Sequence, residues 1–113
     1  AGVHQFCRIG EGAMVGGGSI LVMDVPPFVI CNGNPAEPHG LNVVGLRRAG
    51  YDLKALNAFK AAYKTIYRDG LRIPEAIKVL DVLITNNPQV ARELQLMRDF
   101  IATSERGIIR PKA

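Results

Sequence analysis

Large aliphatic residues recur every six positions at the start of this chain: Val3, Ile9, Val15 and Leu21. Four positions after each stands a small or β-branched residue, namely Cys7, Ala13, Ser19 and Val25. Gly10 and Gly16 directly follow two of the aliphatics. A period of six fits neither the 3.6-residue turn of a helix nor the two-residue alternation of a flat strand. It fits a triangular coil in which each short side buries one aliphatic residue and then turns a corner. Corners call for small side chains and positive φ, which glycine adopts at no steric cost. Three such sides close a coil of about eighteen residues, so the period predicts a β-solenoid.

Residues 3–25 make little more than one such coil. Solenoid coils bury their faces against their neighbours, and a lone coil leaves an open parallel edge and an uncovered apolar face. The chain is therefore expected to be the C-terminal part of a longer protein that carries earlier coils. Ala at position 1, where an initiator Met would stand, agrees with that expectation.

The repeat stops at Asp24-Val25-Pro26-Pro27, where two prolines remove ladder donors. Phe28-Val29-Ile30 reads as a short strand and Asn32-Gly33-Asn34-Pro35 as a turn; Pro38 and Gly40 predict an irregular path to Asn42. From Asp52 the period becomes 3.6. Leu53, Leu56, Phe59, Tyr63, Ile66 and Tyr67 share one helical face, with Asp52 as N-cap and Gly70 past the end. Pro74 suits the first turn of a second helix carrying Ile77, Leu80, Leu83 and Ile84. A third, opened by Asn87-Pro88, turns Val90, Leu94, Met97 and Ile101 inward. The expected organisation is a coil end over residues 1–30, a connecting loop over 31–51 and a three-helix domain over 52–113. Glycine usage marks the same division, since ten of the twelve lie in the first fifty residues.

The net charge is +4, with eleven Lys/Arg against seven acids after residue 50, spread along helical faces. There is no basic run and no aromatic-interleaved motif, so a nucleic-acid partner is not expected; an Arg pair suits a small anion better. No apolar run reaches the length of a membrane span, and no secretion signal is visible at the start. Cys7 and Cys31 form no metal motif and read as reduced core thiols of a cytosolic protein, a disulfide being the alternative.

The order of coil, Asp-Val-Pro-Pro exit, Gly-Asn-Pro-Ala turn, Arg-Arg segment and helices resembles the acyl-[acyl-carrier-protein]–UDP-N-acetylglucosamine O-acyltransferases of lipid A biosynthesis. The resemblance runs over residues 1–110. Asp24-Val25-Pro26-Pro27 and Gly33-Asn34 are shared by many hexapeptide-repeat enzymes. His4-Gln5-Phe6-Cys7, Asn42-x-x-Gly45-Leu46-Arg47-Arg48 and Arg106-Gly107-Ile108-Ile109-Arg110 are more specific.

The resemblance implies a cytoplasmic homotrimer with a left-handed parallel β-helix, a C-terminal helical domain and active sites between neighbouring β-helices. It implies transfer of a 3-hydroxyacyl group from acyl carrier protein to the 3-hydroxyl of UDP-N-acetylglucosamine. The general base would be a histidine about two coils before His4, outside this sequence, so no catalytic base is expected here and these residues alone are expected not to turn over. His4 would support the site, and Gln5, Asn42 and Arg48 would contact the substrate, with Arg47 and Asn34 as further candidates. No cofactor is implied, because phosphopantetheine arrives on the carrier protein. Two positions depart from the family pattern: Ala49 replaces a third basic residue, and Val44 replaces an acid found in some members. His39 matches no motif. Met14 and Gly16-Gly17-Gly18 are suggestive of the acyl-length determinant, part of which is expected outside this sequence. Two other readings remain open at this point. One is a hexapeptide-repeat transferase acting on a nucleotide-sugar amine; the other is a non-catalytic remnant that forms trimer contacts.

Overall fold

The structure, a computed structural model, describes residues 2–111. Strands β1 (Gly2–Val3), β2 (Met14–Val15) and β3 (Ile20–Leu21) are each two residues long. β4 (Val29–Gly33) and β5 (Ala36–Leu41) follow. The helices are α1 (Val43–Arg48), α2 (Leu53–Tyr67), α3 (Ile73–Asn86) and α4 (Ala91–Ala102), the last entered through a 3₁₀ turn at Pro88–Val90.

The coil is present, and its rungs pair in parallel. β1 lies on β3 with Val3 opposite Leu21, eighteen residues on. Ile9 bridges Val25 and Val15 pairs with Cys31, both sixteen residues on. The repeat thus loses two residues at the corner after Leu21. Val25, expected at a small corner position, instead stands in the aliphatic column beneath Ile9. At the next corner Gly10 lies so close to Pro27 that a Cβ would come within 2.3 Å of the proline nitrogen, so the close approach requires glycine.

One expectation fails in part. Each side was expected to bury its aliphatic residue, yet Val3 and Ile9 are each 47% exposed while Leu21 is fully buried. Inward-facing residues of the first coil have a coil beneath them and none above among the described residues, so half of each side chain finds no partner.

The segment expected to be a connecting loop is ordered. β5 pairs antiparallel with β4, with a bulge between Ile30 and Cys31. Pro38 is tolerated there because β5 is an edge strand, bonded on one side only. α1 adds a fourth helix where three were expected. Six residues fall below the length at which periodicity is visible, and Asn42 and Gly50 are the only local punctuation.

The long helices form where expected. The Asp52 carboxylate accepts the Ala55 N–H at 2.9 Å, and Glu75 accepts the Arg72 N–H at 3.0 Å. Leu56, Phe59, Leu80, Leu94, Met97 and Ile101 share one core, which also receives Phe28 and Leu46. A smaller cluster of Leu21, Val25, Val29, Cys31, Tyr63 and Ile109 fills the coil interior.

A polar seam joins the two parts. Asp24, only 3% exposed at its side chain, accepts hydrogen bonds from the Arg8 N–H at 2.8 Å and the Ser104 hydroxyl at 2.7 Å, and an ion pair from Arg8 Nε at 3.4 Å. Its backbone brackets the chain's last segment, donating to Gly107 O and accepting from Ile109 N. The Arg8 guanidinium continues to the Phe100 carbonyl at 2.9 Å and stacks on the Phe100 ring at 4.2 Å.

Candidate functional site

α1 carries three of the candidate residues. Asn42 caps its start: the side-chain oxygen accepts the Gly45 N–H at 3.0 Å, and Nδ2 donates to the Gly12 carbonyl of the coil at 3.0 Å. The Asn42 backbone N–H also donates to Phe28 O at 2.7 Å. At 8% exposure, Asn42 fixes α1 to the coil and keeps one lone pair and one N–H for a further partner. A Cβ on Gly45 would come within 2.6 Å of the Asn42 amide, so that cap depends on glycine.

Arg47 and Arg48 occupy the last turn of α1, exposed, and neither enters an ion pair among the described residues. Two adjacent free guanidiniums at a helix C-terminus supply a fork for phosphate oxygens. Val44 is 60% exposed, so α1 presents an apolar side chain to solvent there.

Beneath α1 lies a cleft of about 210 Å³ lined by Glu11, Gly12, Phe28, Asn42, Leu46 and Tyr51, among others. Ala49 also reaches it, and a longer basic side chain there would stand at its mouth. Phe28 holds φ +65°, a left-handed backbone that costs a non-glycine residue about 1–2 kcal/mol. Its N–H donates to Glu11 O at 2.8 Å and its ring packs on Phe59 at 5.4 Å, which hold it there.

His4 and Gln5 lie on the coil corner after β1, both exposed. His4 Nδ1 accepts the Phe6 N–H at 3.3 Å, which leaves Nε2 facing outward, and the two rings lie 5.9 Å apart. Asn34 sits at the exposed tip of the β4–β5 hairpin, before a cis Pro35, and His39 is exposed on β5. No hydrogen bond or ion pair among the described residues links His4 or Gln5 to Asn34, Asn42 or the arginine pair. Asn42, Arg47 and Arg48 share α1, while His4 and Gln5 stand on a coil corner and Asn34 on the β4–β5 hairpin.

Cys7 and Cys31 are free thiols, and burial pushes the Cys31 thiol up. Among the described residues no group of three His, Cys, Asp or Glu could hold a metal ion. No helix among them is long and apolar enough to cross a membrane. Sequence reasoning missed Glu11, Tyr51 and Glu93 around the cleft. The only local signal was Gly50 directly before Tyr51, a helix C-terminus mark.

The family model described as Udp N-acetylglucosamine O-acyltransferase, Domain 2, matches residues 24–109. The acyl-[acyl-carrier-protein]–UDP-N-acetylglucosamine O-acyltransferase of Paraburkholderia phymatum is 47% identical over 110 residues, 97% of this chain and 42% of the relative. Among solved structures, the UDP-N-acetylglucosamine O-acyltransferase of Moraxella catarrhalis superposes with a TM-score of 0.89 at 44% identity, over 96% of this chain and 41% of its own. The Arabidopsis UDP-N-acetylglucosamine acyltransferase superposes with a TM-score of 0.78 at 38% identity, over 95% of this chain and 39% of its own. The chain thus spans about two fifths of the length of the curated relatives it matches.

Proposed function

The chain belongs to the UDP-N-acetylglucosamine O-acyltransferase family, and from that premise we propose that it is the C-terminal part of an enzyme of the first step of lipid A biosynthesis. That enzyme transfers a 3-hydroxyacyl group from acyl carrier protein to the 3-hydroxyl of UDP-N-acetylglucosamine. The observation that carries the reading is the match of nearly the whole chain, coil and helices together, to proteins named for this transfer. The geometry of α1 supports it, since a capped short helix presents two unpaired arginines beside the coil.

In the proposed reaction the sugar hydroxyl gives its proton to a histidine base on an earlier coil and attacks the thioester carbonyl. A backbone N–H stabilises the oxyanion, and collapse expels the phosphopantetheine thiolate, which takes the proton from the imidazolium. A histidine suits this exchange because its pKa lies near the working pH. No resident cofactor takes part in this scheme. Arg48, with Arg47, binds the diphosphate, and Asn42 orders the helix that presents them. His4 and Gln5 serve a cleft completed by a neighbouring subunit of a cytoplasmic homotrimer, whose coils form a left-handed β-helix.

The test measures acyl transfer from 3-hydroxyacyl carrier protein to UDP-N-acetylglucosamine by the 113-residue chain and by the full-length protein that carries it. Transfer is expected from the full-length protein only. Turnover by the chain alone would place a base within it and sink the assignment of roles. Arg48→Ala in the full-length protein is expected to weaken UDP-N-acetylglucosamine binding at least tenfold, through loss of about 1.5–3 kcal/mol of charge-assisted hydrogen bonding. Unchanged affinity would remove Arg48 from the site.

A further inference from the structure

α1 has six residues, too few to hold a helix by its own hydrogen bonds, so its direction is set by what grips its ends. Asn42 grips the N-terminal end on the Gly12 carbonyl. The C-terminal end closes with paired backbone bonds, Gly50 N–H to Arg47 O at 3.0 Å and Tyr51 N–H to Leu46 O at 3.2 Å. Gly50 takes φ +96°, as a C-terminal cap of this kind requires. The residue after that cap is Tyr51. Its ring stands edge-on to Phe59 of α2 at 5.1 Å, and its hydroxyl donates to the Glu93 carboxylate of α4.

The contacts then close on themselves. Arg92, next to Glu93, pairs with Glu11 at 3.1 Å. Glu11 adjoins Gly12, which receives Asn42. Coil corner, Asn42, α1, Tyr51, Glu93, Arg92 and coil corner form a ring around the 210 Å³ cleft. Arg47 and Arg48 sit in that ring directly before the Gly50–Tyr51 closure, with no ion pair of their own. Where such free side chains reach is decided by the helix end that bears them.

We infer that Tyr51 and Glu93 are a positioning pair that aims Arg47 and Arg48 at an anionic ligand, namely the diphosphate of a nucleotide-sugar. The inference rests on the proposed nucleotide role of the arginines. The Glu93 carboxylate holds the Tyr51 proton, which raises the phenol above its ordinary range and keeps it a donor. The bond joins a neutral donor to a charged acceptor, one of the stronger kinds. The pair touches the ligand nowhere; its effect passes through the end of α1.

The test is made in the full-length protein, with UDP and UDP-N-acetylglucosamine as probes in calorimetry and in steady-state kinetics. Tyr51→Phe keeps the ring and removes the hydroxyl. It is expected to weaken binding of both probes about three- to tenfold, the worth of one charge-assisted hydrogen bond in part. KM for the sugar nucleotide should rise while kcat stays level. Glu93→Gln, which keeps an uncharged acceptor, should fall between Tyr51→Phe and the parent. Combining Tyr51→Phe with Arg48→Ala should cost clearly less than the sum of the two single losses, because only Arg47 is then left to aim, a coupling that simple loss of stability does not produce. If Tyr51→Phe fails to fold, Glu93→Gln carries the same comparison. Unchanged affinity in Tyr51→Phe with affinity lost in Arg48→Ala overturns the positioning role and leaves the nucleotide reading standing. Full additivity of the two substitutions likewise overturns it. Unchanged affinity in Arg48→Ala removes the nucleotide role itself, and the pair with it.

Discussion

The coil and the helices of this chain are stabilised in opposite ways. The helical part buries Phe59, Leu80, Leu94 and Met97 completely or nearly so, among partners that all lie within the chain. The coil has two-residue strands, rungs paired sixteen to eighteen residues apart, and aliphatic side chains whose burial grows from Val3 to Leu21 down the stack. An amphipathic helix needs one apolar face covered, and two helical neighbours suffice. A solenoid coil has two faces, and each is covered only by another coil. The same hydrophobic content therefore gives a self-sufficient core in one region and a neighbour-dependent one in the other.

The largest effect is expected in the helices. Phe59→Ala should lower stability by about 4 kcal/mol, because its ring contacts Phe28 and Tyr51 as well as the bundle. A single chemical-denaturation transition moving to lower denaturant would show both regions falling together; a residual second transition would split them. Next comes the seam. Asp24→Ala leaves the Arg8 N–H and the Ser104 hydroxyl without their acceptor and should cost about 2–3 kcal/mol, since the Arg8 partner is itself 42% exposed and screened. A denaturant midpoint unmoved by that change would mean that backbone contacts alone join the regions.

A gain of about 1 kcal/mol is expected from Tyr67→Phe, whose hydroxyl is buried with no hydrogen-bond partner among the described residues. Burial raises Tyr67 and Tyr63 above the ordinary tyrosine range. In the unfolded chain both ionise near pH 10, where the folded chain still holds the protons. The stability they confer is thus complete below about pH 10 and is lost as pH rises toward the raised folded values. Alkaline melting curves should be flatter in Tyr67→Phe than in the parent, and identical curves would refute the burial argument. The smallest effect belongs to Val3→Ala, which should cost under about 0.5 kcal/mol in this chain. With earlier coils attached it should cost about 1–2 kcal/mol, as burial completes. Equal costs in the two settings would break the contrast between the regions.

The sequence made the repetitive parts legible and the junctions illegible. Val3, Ile9, Val15 and Leu21 announce a coil because one physical requirement recurs at one spacing. Asp52 and Pro74 announce helix starts because capping is local. Pro38 and Gly40 signal breaks in the sequence of β5, and only its edge position makes Pro38 acceptable in a strand. α1 is too short to show a period. Arg8, Asp24 and Ser104 meet across up to 96 positions, so no local signal joins them. In the candidate site the family motif pointed to Asn42, Arg47 and Arg48, which the fold does gather. Tyr51 and Glu93 were out of reach because their meeting depends on how α4 packs.

The seam also bears on the order in which this protein can be completed during synthesis. The Asp24 carboxylate sits at the first corner of the second coil, yet its hydroxyl partner Ser104 lies 80 residues later. At roughly 5–20 residues per second, the ribosome supplies that partner about 4–16 seconds after Asp24 is made. Until then the nascent coil holds a charge at its corner that water must solvate, and its lower edge stays loose. Residues 104–109 thus fasten a corner made long before them, so a chain released before Ser104 would leave that corner unlatched.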